Sequence, residues 1–219
     1  MSSNSEWTLE KLEELIKNQV QESLTLDYKD SRSLGSSNGK KNEISKDVSA
    51  FANSAGGTII YGIQEENHLP KCIDEGVDPD EISKEWLEQV INSRIQRKID
   101  NIHIYPIIIS SNPDRVIYVV DIPQSSRAPH QANDKRFYKR YNFQSLPMEE
   151  YEIRDVSSRE KTPRLVLSSH VENTKHLLQP HRIISHQKSI AIVDLRLNVI
   201  NKSFEPASYA YVQIFGIAE

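Results

Sequence analysis

Apolar positions along the first 156 residues follow two spacings, one helical and one of period two. Leu9, Leu12, Leu15 and Ile16 form a stripe behind Thr8, a capping residue, with Glu10, Glu13 and Glu14 near the positive end; this predicts a first helix. In "LTLDYK", residues 24 to 29, Leu24, Leu26 and Tyr28 alternate with Thr25, Asp27 and Lys29, as in a half-buried strand. Residues 30 to 43, "DSRSLGSSNGKKNE", are polar and rich in Gly and Ser, and predict a loop. "ISKDVSAFANSAGG" carries Ile44, Val48, Phe51, Ala52 and Ala55 at helical spacing and ends on Gly56 and Gly57. "TIIYGI", 58 to 63, is β-branched and predicts a buried strand. Ile82, Leu87, Val90, Ile91 and Ile95 predict a helix over 81–98. "IHIYPIII" and "RVIYVVDIP" predict two strands joined by "SSNPD". "RFYKRY" alternates again, and "MEEYEIRDV" predicts a short closing helix.

This order predicts an α+β fold, a mixed sheet with flanking helices, over residues 5–156. "SSREKTPR", 157–164, reads as a linker. Residues 165–219 read as the start of a β-rich segment. Within it, "SIAIVDLRLNVINKSFEPASYAYVQIFG" predicts two strands around the turn "NKSFEPAS". Two strands do not make a stable domain alone, so this segment is expected to be incomplete or docked.

Composition narrows the class. Of 219 residues, 37% are hydrophobic and 26% charged, enough to bury a core. No apolar run approaches the ~20 residues of a membrane span. A lone cysteine, Cys72, excludes an internal disulfide and a cysteine-rich zinc site and points to a reducing, cytoplasmic setting; it reads as structural. There is no phosphate loop of the G-x-x-x-x-G-K-[ST] kind. His170, His176, His181 and His186 recur at intervals of five or six, unlike the tight spacing of helical zinc ligands.

The net charge of −4 counts mildly against nucleic acid, but the charge is uneven. Between residues 127 and 141, Arg127, Lys135, Arg136, Lys139 and Arg140 stand against one acid, Asp134. Arg136, Tyr138 and Arg140 share one parity, so one strand face would present guanidinium, phenol and guanidinium, groups suited to phosphates and splayed bases. His130, after Pro129, is placed to touch phosphate or to bond backbone. A solvated edge strand is the plain alternative. Glu22, Asp27 and Glu65 are three acids that could share a divalent ion: Glu22 in the turn before the first strand, Glu65 just past the second. Lys29 projects from the Asp27 face and could hold a phosphate oxygen. Three solvated acids and a surface lysine are the bland reading. Asn53 could cap a turn or orient an acid; packing favours a structural role.

"ESLTLDYK", "VSAFANSAGGTIIYGIQEE" and "RAPHQANDKRFYKRYNFQSLPMEEYEI" together resemble the AlbA-like domain of the Schlafen family over residues 5–156. The resemblance implies a nucleic-acid-binding fold and, as in Schlafen nucleases, a three-carboxylate site that cuts RNA with Mg2+ or Mn2+. Glu22 matches the first acid, Asp27 the Glu of Glu-Phe-Lys and Lys29 its lysine; the acid after Gly-Val falls at Gln64 or Glu65, and spacing favours Glu65. Asp27 is one methylene shorter than the family's Glu, and Glu65 one longer than its Asp. The resemblance thus implies a metal-dependent endoribonuclease acting on structured RNA such as tRNA, with a nucleic-acid surface at Arg127, His130, Lys135, Arg136, Tyr138, Lys139 and Arg140. RNA is favoured over DNA. Schlafen nucleases pair two lobes, so a single lobe implies a homodimer or larger assembly. The alternatives are a non-catalytic DNA- or RNA-binding module with a regulatory or assembly role, and a protein-interaction platform.

Overall fold

A computed structural model describes residues 7–111, 114–159, 165–172 and 194–202. The chain divides into two units, Met1–Ser157 and Ser158–Glu219. The first contains, in order, α1 (Leu9–Lys17), β1 (Leu26–Lys29), α2 (Asn38–Asn53), β2 (Gly56–Tyr61), β3 (Ile63–Glu66), β4 (Leu69–Ile73), α3 (Lys84–Arg94), β5 (His103–Ser111), β6 (Asp114–Pro123), β7 (Tyr138–Tyr141) and β8 (Gln144–Pro147); α4 (Glu150–Ser158) runs up to its boundary. The central sheet has the order β1-β2-β6-β5, with β1 parallel to β2 and the other pairs antiparallel. β3–β4 and β7–β8 are separate hairpins. The fold is α+β, as the sequence pattern predicts.

Alternation in the central strands feeds two cores. Ile59 and Tyr61 of β2, with Tyr118, Val120 and Ile122 of β6, pack with Val48, Phe51 and Ala52 of α2 and Leu87 and Ile91 of α3. The intervening Ile60, Ile117 and Val119 pack with Leu12 of α1 and Tyr28 of β1. A sheet covered on both faces needs apolar residues at both parities, which explains the unbroken runs in β2 and β6.

Three departures from the sequence expectation position the site. First, α2 starts six residues earlier than the apolar spacing indicates: the Ser37 side chain accepts from Lys40 N at 3.4 Å, and the polar "NGKKNE" forms the first turns. Second, the polar parity of β1 is not solvated. Asp27 is 1% exposed, because the layer formed by α2 and β7 covers that face. Third, the chain leaves the sheet at Gly62 and enters a hairpin. Gly62 has φ +127°, and a Cβ there would lie 2.6 Å from Ile117 Cγ1, so only glycine fits. The hairpin turns at Asn67–His68, both with positive φ, as a two-residue type I′ loop requires.

In the second unit, β9 (Leu165–Glu172) pairs antiparallel with β10 (Asp194–Asn201), Leu167 opposite Val199. The expected partner of residues 194–200, the segment 209–216, lies outside the described residues, as do His176, His181 and His186. No described helix is long and apolar enough to cross a membrane.

Candidate metal centre and nucleic-acid interface

The β3–β4 turn brings His68 back onto the segment before β1. Glu22 N donates to His68 O at 2.9 Å, and Glu22 Oε2 lies 2.7 Å from His68 Nδ1. The other Glu22 oxygen accepts from Tyr28 N at 3.0 Å, which fixes the carboxylate in a buried turn. Glu65, on β3, accepts from His68 N at 2.8 Å. One donor atom from each of Glu22, Glu65 and His68 falls within 4.8 Å of the others. Glu65 is exposed and the His68 side chain 43% exposed, so solvent reaches the cluster. The His68 ring is braced by Phe143, stacked at 4.2 Å between centroids.

Asp27 adjoins this cluster without joining it. Its side chain faces the α2 side, where Lys29 Nζ lies 2.9 Å from Oδ2 and Arg140 Nη2 3.6 Å from Oδ1. These are ion pairs, and both carboxyl oxygens are buried without a hydrogen-bond partner. Burial lifts the Asp27 pKa above the ordinary carboxylate range and Glu22 adds to this, while Lys29 and Arg140 pull it back in part. Burial alone would lower the Lys29 pKa, but Asp27, Asp47 and Glu22 outweigh it and hold the amine up, so Lys29 is a firm cation at neutral pH. Lys29 remains 31% exposed and, with Glu65, lines one hollow of about 350 Å3. The Tyr28 phenol, donating to Val20 O at 2.8 Å, is pushed up to about 12 by burial and by Glu22.

Residues 22–149 match the family described as Schlafen, AlbA_2. The chain belongs to the Schlafen AlbA_2 family. Among solved structures, the DIP2311 protein from Corynebacterium diphtheriae is similar at 13% identity with a TM-score of 0.47, over 72% of this chain and 34% of that one. This chain therefore spans about a third of that protein's length. No curated protein matches. Membership of the Schlafen AlbA_2 family points to a nucleic-acid-related function.

In this Schlafen AlbA_2 chain the basic stretch folds differently from its sequence pattern. β7 begins at Tyr138, and its even positions point inward: Tyr138 is 6% and Arg140 4% exposed, while Lys139 and Tyr141 face out. Tyr138 OH donates to Asp134 Oδ2 at 2.5 Å. Arg140 donates from its backbone N to Ser54 Oγ at 2.8 Å and from Nη2 to Ser23 O at 3.2 Å, with its guanidinium 4.5 Å from the Phe51 ring. The guanidinium–phenol–guanidinium outer face is thus corrected: two of its three groups are buried, because the β7 backbone docks on Asn53 and Ser54 at the end of α2.

His130 is fully buried, and its contact with phosphate is excluded by the same docking. Its ring lies 2.9 Å from Arg97 O through Nδ1 and 2.6 Å from Ser125 Oγ through Nε2. A carbonyl can only accept, so Nδ1 carries the proton and Nε2 accepts from Ser125. Lys139 is ion-paired with Glu152, and Arg127 with Asp100 at 3.0 Å. Lys135 and Arg136 are exposed beside the Asp134 turn. Cys72 is an exposed free thiol.

His68 is the cluster member that sequence spacing does not reveal. The available signal was a hairpin one: Asn67-His68 between "IQEE" and "LPKCI", with Asn tolerant of positive φ.

Proposed function

We propose that this chain is a divalent-metal-dependent endonuclease acting on structured RNA such as tRNA, with Glu22, Glu65 and His68 holding the ion. The approach of these three donors to within 4.8 Å, beside a hollow lined by Lys29, is the observation that supports the reading. The donor set fits the family's cofactor: two carboxylates suit Mg2+ or Mn2+, and the imidazole favours Mn2+ of the two. When bound, such an ion stabilises charge on a phosphate and lowers the pKa of a coordinated water. Lys29 holds a non-bridging phosphate oxygen in the hollow. Asp27 is a positioning residue: it keeps Lys29 charged and in place, and Arg140 balances its buried charge. RNA rests on the family resemblance, and a matched DNA strand is the control.

Cleavage of a tRNA with Mn2+ tests this. Glu22→Gln, Glu65→Gln and His68→Ala should each lower the rate by about a hundredfold or more, as loss of a metal ligand does, and should weaken Mn2+ binding measured by calorimetry. Unchanged cleavage and unchanged Mn2+ binding in all three would remove the metal centre. Assembly into a homodimer, as paired lobes in the family imply, is read by light scattering at micromolar concentration.

A second reading is binding without cutting, supported by the exposure of Lys135 and Arg136 in the basic stretch. It expects salt-sensitive RNA or DNA binding in the absence of metal, weakened in Lys135→Ala plus Arg136→Ala, and no metal-dependent product.

A further inference from the structure

A cleft of about 670 Å3 opens between α2 and the β7–β8 hairpin. Small-ligand sites span ~300–1,000 Å3, so it has room for one. Two of its lining groups have unmet hydrogen-bonding capacity. Tyr61, 2% exposed, buries its hydroxyl without a partner, and Arg140, 4% exposed, does the same with Nε. Buried polar atoms are almost always paired, so two orphans on residues that line one cleft point to a partner that the protein alone does not supply. The phenol stays protonated, because burial and then Asp47 and Asp27 push it well above its ordinary value; it is a donor.

The rest of the lining says what kind of ligand. Lys40 and Lys46 of α2 and Lys29 of β1 add three ammonium groups. Lys40 donates to Leu34 O and Lys46 pairs with Glu43, but each ammonium has three hydrogens to give. These donors, with the Arg140 N–H and the Tyr61 O–H, fit a phosphate. From the hairpin, Phe143 and Leu146 supply an apolar wall with an aromatic ring, which fits a planar base. The Asp47 carboxylate, which already accepts from Ser145 Oγ at 2.8 Å, offers an acceptor for base N–H groups.

We propose that this cleft binds one unpaired nucleotide, its phosphate toward Lys40 and Lys46 and its base against Phe143 and Leu146. Phe143 also stacks on His68, and Lys29 lines both the cleft and the hollow at Glu65. The bound nucleotide is thus the neighbour of the one at the metal cluster; that placement rests on the nuclease reading, whereas nucleotide binding itself does not.

The test measures binding to the full chain with metal chelated, using the four nucleoside monophosphates and a short single-stranded RNA as probes. Leu146→Trp fills the cleft and should weaken binding by about tenfold or more; Tyr61→Phe removes one hydroxyl and should weaken it by about three- to tenfold. Loss of mononucleotide binding in these variants supports the site with a free nucleotide as its source; loss confined to the oligonucleotide supports it with a strand as the source. Circular dichroism checks the fold, and Tyr61→Phe decides should Leu146→Trp misfold. Wild-type affinity in the folded variants, or no binding of either probe to the wild type, overturns the proposal. A Mn2+ cleavage assay run alongside separates the two readings. A chain that never cuts but loses binding in the cleft variants defeats only the nuclease; one that cuts while its cleft variants bind normally defeats only the cleft.

Discussion

Two buried polar clusters pack against α2, and they differ in whether their atoms are satisfied. At its C-terminal end, Asn53 donates to His130 O and Tyr138 O, each at 2.9 Å, and accepts from His130 N at 2.6 Å. His130 in turn bonds Arg97 O and Ser125, and Ser125 Oγ also accepts from Arg127 N at 3.1 Å. Around Asp47, by contrast, lie all four buried side-chain atoms without a hydrogen-bond partner among the described residues: both Asp27 oxygens, the Tyr61 hydroxyl and Arg140 Nε. A closed network specifies a fold; an open one in the same low-dielectric layer costs stability unless something else completes it. The difference separates a lock that holds β7 to α2 from a site left incomplete by the protein alone.

The sharpest way to break this comparison is to remove one polar group from each side. Asn53→Ala leaves three buried backbone groups of His130 and Tyr138 unpaired and should cost about 3–5 kcal/mol in urea unfolding. Tyr61→Phe removes a hydroxyl that bonds nothing and should be neutral or slightly stabilising. Similar losses in the two variants would mean that Tyr61 is satisfied in solution and that the open cluster is not open.

A smaller effect should come from completing the metal cluster. An ion that binds only the folded chain stabilises it by about 2.7 kcal/mol at a hundredfold excess over its Kd. Mn2+ should therefore raise the urea midpoint of the wild type, Mg2+ should do so only at higher concentration, and His68→Ala should bring the two ions closer together. No Mn2+-dependent shift in the wild type, with an unchanged Asn53 lock, would leave Glu22–His68 as a plain hydrogen-bonded contact.

What the sequence made legible follows from the range of the interactions involved. Apolar spacing located α1, α2, β2, α3 and the β5–β6 pair, since each answers to local periodicity. Glu22 and Glu65 could be brought together on paper, because one precedes β1 and the other follows β2, and those strands are neighbours. His68 escaped because its place depends on two positive-φ residues that reverse β3 onto Glu22. "RFYKRY" misled for another reason. Its charged and aromatic residues alternate at both parities, so inside and outside are decided by Asn53 and Ser54, more than 80 residues away in the chain. β9 went unseen because "LVLSSHVE" turns polar halfway along, and its partner is chosen by pairing rather than by pattern.

The smallest expected effect concerns Asp47, at the centre of the open cluster. It is 7% exposed, and burial pushes its carboxyl pKa up, with Lys29 pulling it back in part and Asp27 adding to the rise. A raised folded pKa means that the native chain binds more protons than the unfolded one between the two values, so stability falls as pH rises through that window. Asn carries no charge to desolvate and keeps an acceptor for Ser145, so Asp47→Asn should gain about 1 kcal/mol at pH 7. The gain should fade as pH drops toward the ordinary Asp value of 3.8, where the wild-type carboxyl is itself protonated. Urea midpoints at pH 7 and pH 4 read this directly. A gain equal at both pH values would trace to packing rather than charge. A loss at pH 7 would mean that attraction to Lys29 outweighs burial, and that this part of α2 belongs with the satisfied lock rather than with the open site.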